Sequence, residues 1–306
     1  MAKMGLTFLA LIVSAAVARS QVQGPKPSDA PTSLTFRQAA IAPGDQIDTV
    51  MAMEMPLTMD VLANGRSVAP TISMINRQTK RDRATCLAAK DGRITRARID
   101  YLERKEYSKT PNGEETTEGD LDGEAVMVSV SGDVLNVADA DGGEIDEEVR
   151  SAVKDEIKVR NGAIDRSDPI CRALAAKPIK VGEVVNLQAD AAREFLGDDD
   201  AILGGEVAFK LVEAITIRGR AAGVFEVQLK ATGRSDPTEN VPPLNITFLL
   251  KGRVIVAADT SELLEVVLGG VVTMNGEMDV AGSGRVSMVG NGTAKLTGSE
   301  IIKRAP

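Results

Sequence analysis

Met51, Met53, Met55 and Met59 sit at alternate positions of one short stretch, with Leu57 completing the series. Alternate side chains of an extended strand share a face about 7 Å apart, so these thioethers would form a row. Soft sulfur can bind copper(I), but such sites also draw on His or Cys, and the 306 residues contain no histidine and only two cysteines. Flexible thioethers also fill irregular aliphatic cores or make adaptable pockets for acyl chains, and the sequence leaves both readings open. Met51, Met53, Met55 and Met59 are therefore the candidate ligand-binding residues, on the concave face of a sheet, for an apolar ligand or a protein partner. No metal and no cofactor is expected.

Proton-transfer catalysis has little to work with. Without histidine a serine nucleophile lacks its usual base, and no Gly-x-Ser-x-Gly elbow occurs. The run Asp139-Ala-Asp-Gly-Gly-Glu144-Ile-Asp146 resembles a calcium loop, yet its glycine falls early and Arg150 stands where a bidentate Glu belongs. A turn leading into the acidic start of a helix accounts for it. Asp198, Asp199 and Asp200 read as a solvated loop. The chain is read as non-enzymatic, with a carboxylate-dependent hydrolase as the least favoured alternative. Cys86 and Cys171 form one candidate disulfide in an oxidising compartment, which would pin a helical insert to the sheet and contribute about 4 kcal/mol by the chain-entropy argument.

The compartment follows from the first twenty residues. Lys3, an apolar stretch from Leu6 to Val17 and the exit Ala16-Val17-Ala18 have the three-part layout of a secretory signal peptide, cleaved after Ala18 or Ser20. About 12 apolar residues are too few to span a bilayer, and no later stretch approaches that length, so the mature chain is expected to be exported and soluble, periplasmic or extracellular. Residues 21–40, with Pro25, Pro27 and Pro31, read as a flexible linker. Residues 41–306 read as a single β-rich domain with a helical insert at about 145–197, or as two β lobes, 41–140 and 178–306.

Charge is distributed in blocks. Residues 76–109 hold 11 Lys and Arg against 5 Asp and Glu, whereas residues 114–200 hold 9 against 23. Lys80, Arg81, Arg83, Arg96 and Arg98 form a candidate basic patch, but an acidic protein without aromatic interleaving is not built for nucleic acid. Solvated, partly paired faces are the simpler account.

Periodicity supplies the elements. Period two from Ile47 to Val61 gives a long half-buried strand, bent at Pro56, and residues 93–104 and 124–130 continue the pattern, with a hairpin at Ser131-Gly132-Asp133. Three- and four-residue steps from Ile145 to Lys158 give a helix, Asp168-Pro169 starts a second, and Asp190 to Leu196 is a third. Strands return at 206–217, 223–232, 244–250, 252–257, 263–268, 270–280 and 284–296, most set apart by Gly, Asp or Pro. The fold class is α+β, β-dominated: a large curved antiparallel sheet of about ten or eleven strands, half-barrel-like, wrapping a short helical insert.

The run Lys251-Gly-Arg-Val-Ile-Val-Ala-Ala-Asp259-Thr-Ser-Glu-Leu-Leu-Glu-Val-Val-Leu-Gly269 and the segment Lys177-Pro-Ile-Lys-Val-Gly-Glu-Val-Val185 resemble uncharacterised secreted bacterial proteins. In architecture and turn placement, residues 41–302 also resemble the periplasmic lipoprotein carriers with an open half-barrel. That resemblance implies a concave sheet that holds lipid beneath covering helices. The carriers line that face with aromatics, where this chain offers Val, Leu, Ile and Met.

Overall fold

The computed structural model describes residues 32–141, 143–164, 169–175, 177–187, 202–235, 242–280 and 284–305. The signal-peptide reading, most of the linker and the expected helix at 190–196 lie outside the described residues.

The N-terminal half begins with β1 (Ser33–Leu34), followed by β2 (Gln46–Ala63), β3 (Arg66–Ser67), β4 (Ile72–Lys90), β5 (Arg93–Thr110), β6 (Gly113–Glu118), β7 (Ala125–Ser131) and β8 (Val134–Asp139). Then come α1 (Glu147–Glu156), β9 (Val159–Arg160), β10 (Ala163–Ile164), α2 (Pro169–Ala175), β11 (Ile179–Lys180) and β12 (Val184–Asn186). Five strands close the chain: β13 (Ile202–Ile217), β14 (Arg220–Arg234), β15 (Asn245–Ala257), β16 (Leu263–Val280) and β17 (Gly284–Lys303). Thirteen strands form one antiparallel sheet in the order β12-β13-β14-β15-β16-β17-β2-β4-β5-β7-β8, with β3 added to β2 and β6 to β5. The path starts at β12 and ends at β8, so the sheet is open, and it is larger than the ten or eleven strands expected.

Strand boundaries also differ from those expected, and glycine is the reason. The expected breaks at Gly252 and Gly269-Gly270 fall inside β15 and β16. A Cβ on Gly252 would stand 2.0 Å from the Val267 carbonyl oxygen, and one on Gly270 would stand 2.0 Å from that of Leu249. These glycines let two backbones approach and do not end strands. The tight turns lie elsewhere: Asn64-Gly65 and Asp91-Gly92 join neighbouring strands through two residues at positive φ, the geometry that Asn-Gly and Asp-Gly favour.

Pro56 stays within β2. The ladder to β17 lapses at Met55 and Pro56, while the ladder to β4 runs unbroken through Pro56 and Ile75. Helix α1 forms within the stretch its periodicity predicts. Asp146 caps it by accepting from the Glu148 N–H at 2.8 Å, and Val153 on its apolar face is fully buried. The acidic run before it is spent on local geometry, since the Asp139 carboxylate accepts from the Asp141 N–H.

Two apolar clusters lie on the same side of the sheet. The larger one gathers β2, β13 to β17, Leu34, Phe36, Leu174 of α2 and Ile179. The second gathers Ile47, Cys86, Ile94, Ala97, Tyr101, Val126 and Val128 beneath Val153 of α1. The strand β2 serves both, through Met55 in one and Ile47 in the other.

The linker expected to run to residue 40 is ordered and packed from Thr32 onward. Ser33 and Leu34 pair with Lys180 and Ile179, the Arg37 and Ala39 N–H groups donate to the carbonyls of Ala258 and Thr260, and Phe36 is 1% exposed. The Phe36 ring lies 5.5 Å from that of Phe225, over Gly223, where a Cβ would come within 2.8 Å of it. Two apolar side chains among many polar ones suffice to anchor this segment. The other end is fixed at Asp45, whose carboxylate accepts from the N–H groups of Ala42 and Ala305 and pairs with Arg304 at 2.6 Å.

Candidate functional site

The expected methionine row lies on one face of β2. Met51, Met55 and Met59 are buried in the larger cluster, and Met53, half-buried, packs against it. Register extends the row sideways. Met59 pairs with Gly290 of β17, which pairs with Met274 of β16. The glycine leaves space that the Met274 methyl fills, since a Cβ at Gly290 would lie 2.9 Å from it. Val61 pairs with Met288 on β17, and Leu57 pairs with Met74 on β4. Met278 shares the parity of Met274. Leaving aside Met1 and Met4, eight of the nine methionines thus share one face of the adjacent strands β16, β17, β2 and β4, with Met127 on β7 the exception. The sequence reading missed Met74, Met274, Met278 and Met288. Their common face depends on cross-strand register, which spacing along one segment does not carry.

The rim of this face is less buried than its centre. Met53, Val61, Ile72, Met74 and Met278 are all half-buried. Next to β2 the same face turns polar: Met51 pairs with Lys80 and then Arg104, Met53 with Gln78 and then Glu106, and Met55 with Asn76 and then Ser108. Gln78 Nε2 donates to Glu106 Oε1 at 2.7 Å. Apolar and polar walls therefore meet along the β2–β4 seam.

At one end of the seam lies a charge network. A bulge places Leu102 opposite no partner on β4, so Tyr101 and Arg104, three residues apart, face the same way. The Arg104 guanidinium lies 4.8 Å from the centre of the Tyr101 ring, pairs with Asp82 through two hydrogen bonds of 2.9 and 2.7 Å, and reaches Glu156 Oε1 at 2.6 Å. Lys80 Nζ completes the set at 3.3 Å from Glu156. Glu156 is the last residue of α1, so the network moors that helix to the sheet. Burial opposes the Arg104 cation, but hydrogen bonds and charge from Glu156 and Asp82 outweigh it and raise its pKa. Burial would likewise raise Glu156, but Lys80 and Arg104 hold its carboxyl below the usual range. Asp82 moves the other way, because its burial outweighs the pull of Arg104. Tyr101 Oη is buried and has no hydrogen-bond partner among the described residues. Asp82 and Glu156 are inward-facing carboxylates, and both grip one guanidinium.

The candidate basic patch loses Lys80 to the inward face, and the arginines left on the outer face are partly neutralised. Lys80 turns inward to Glu156, Arg83 pairs with Asp48 at 2.7 Å, and Arg98 pairs with Asp100 at 2.8 Å. Cys86 is buried in the cluster beneath α1, whereas Leu174 and Ala173 of α2 belong with the other cluster; the side chain of Cys171 lies outside the described residues. A groove of about 610 Å³ is lined by Asn186, Glu206, Gln228, Lys230, Leu249 and Lys251 among others, and by no methionine. Its Val207, Leu229 and Leu250 belong to the methionine face and are at most 4% exposed, so the groove opens on the opposite side. Among the described residues no helix is long and apolar enough to cross a membrane. No family model matches the chain, and neither does any curated protein.

Proposed function

We propose that the chain is an exported, non-enzymatic envelope protein that binds an apolar ligand on the methionine-lined inward face of its sheet. The observation that carries this reading is the gathering of eight methionines on one face of four adjacent strands, rimmed by half-exposed Met53, Met74 and Met278. A sheet interior that needed only filling would be served by branched aliphatics with fixed rotamers; unbranched thioethers adapt to whatever lies against them. The signal-peptide pattern supports export, and the lack of histidine supports binding over catalysis.

A second reading has its own support. Met51, Met55 and Met59 are at most 8% exposed, as befits an interaction module whose face is simply packed. Protein purified after export, extracted with organic solvent and analysed by lipid mass spectrometry, separates the two. The binding reading expects a co-purified apolar or amphiphilic molecule in near-stoichiometric amount, reduced severalfold in Met53→Glu. A ligand-free protein that takes up no added acyl compound establishes the packed module.

A further inference from the structure

Opposite Met51, Met53 and Met55 the methionine face ends abruptly at β4. Across one strand spacing the partners change from Met53 to Gln78 and Glu106, and from Met55 to Asn76 and Ser108. All four polar residues are half-buried. Polar side chains on the inward face of a sheet lose hydration and need partners there. Gln78 and Glu106 satisfy one another only in part, because a single hydrogen bond joins Nε2 to Oε1. The cations of this face are already engaged: Arg104 with Asp82 and Glu156, and Lys80 with Glu156. Two cations and two carboxylates close that network at zero net charge. Glu106 stands outside it and has no cationic partner among the described residues, so the polar wall carries one uncompensated negative charge beside an apolar one.

We propose that this wall, Asn76, Gln78, Glu106 and Ser108, is a headgroup subsite for an amphiphile whose acyl chain lies on the methionines and whose head presents an amine. This inference rests on the apolar-ligand reading and names the chemistry of its ligand. An ammonium placed against Glu106 supplies the missing countercharge, and the amide and hydroxyl groups of Asn76, Gln78 and Ser108 take its remaining hydrogen bonds. An anionic head would meet like charge.

The full exported chain is titrated with two fluorescent lipids of identical acyl chains, one with a phosphoethanolamine head and one with a phosphoglycerol head. The wild type is expected to bind the ethanolamine lipid about fivefold more tightly. Glu106→Gln removes that preference and Glu106→Lys reverses it, while Met53→Glu weakens both lipids alike; far-UV circular dichroism confirms that each variant is folded. Equal affinity for both lipids in the wild type, unchanged by either Glu106 substitution, overturns the headgroup subsite and leaves the apolar-ligand reading intact. Failure to bind either lipid overturns both.

Discussion

Arg104 shows how much one residue can organise here and how little of that its sequence neighbourhood reveals. Strict alternation from Arg93 places Tyr101 inward and Arg104 outward; one extra residue, Leu102, puts both inward and stacks the guanidinium over the ring. A bulge of this kind leaves no compositional trace, so the network was not legible in the sequence. The Tyr101 hydroxyl is a by-product of the arrangement. Burial, with the negative charges of Glu156 and Asp82, raises its pKa against the opposing pull of Arg104, and it finds no hydrogen-bond partner among the described residues. An unsatisfied buried hydroxyl costs stability, while the ring beneath Arg104 is retained by phenylalanine. Tyr101→Phe is therefore expected to stabilise the protein by about 1 kcal/mol in urea unfolding. A loss of that size would mean that the hydroxyl has a partner, such as a buried water.

Among the elements, the long strands and α1 were legible because their periodicity is local, and the errors came from punctuation. Glycine usually ends a strand when its backbone must turn, but at Gly252 and Gly270 the reason is steric: each faces a carbonyl of the adjoining strand at a distance no Cβ tolerates. The linker reading failed at Leu34 and Phe36 for a related cause. What holds them, Ile179 and Phe225, is about 145 and 190 residues away in sequence, and local composition is blind to such partners. The methionine row was half legible: spacing revealed the β2 members, and register alone revealed the other four. Gly270→Ala provides a quantitative check on the steric account. It should cost at least about 2 kcal/mol, since the backbone of β15 or β16 must shift to admit the methyl group. Gly143→Ala, at a position with open space and no positive φ, should change stability by less than about 0.5 kcal/mol. Equal effects at the two sites would remove the close-approach explanation.

At the scale of the whole molecule the question is whether two apolar clusters make two folding units. Their residues divide at the charge network, which favours independence. The strands argue otherwise. β2 runs from Ile47 in one cluster to Met59 in the other, and β17, which pairs with it from Val286 to Lys303, does the same through Leu296 and Ile302. Unfolding either cluster alone would tear both strands at mid-length and expose their backbone hydrogen bonds to the remaining core. The chain carries its own reporters for this, because it has no tryptophan and its two tyrosines, Tyr101 and Tyr107, both lie on β5. Phe36, Phe209, Phe225 and Phe248 all belong to the larger cluster. Near-ultraviolet circular dichroism in the tyrosine and phenylalanine bands thus reads the two sides separately, and the far-ultraviolet signal reads the sheet. A single cooperative unit gives three superimposable urea transitions with one midpoint. A tyrosine transition separated from the phenylalanine one would show that the sheet breaks at the β2–β4 seam, beside the polar wall on which the headgroup subsite is proposed.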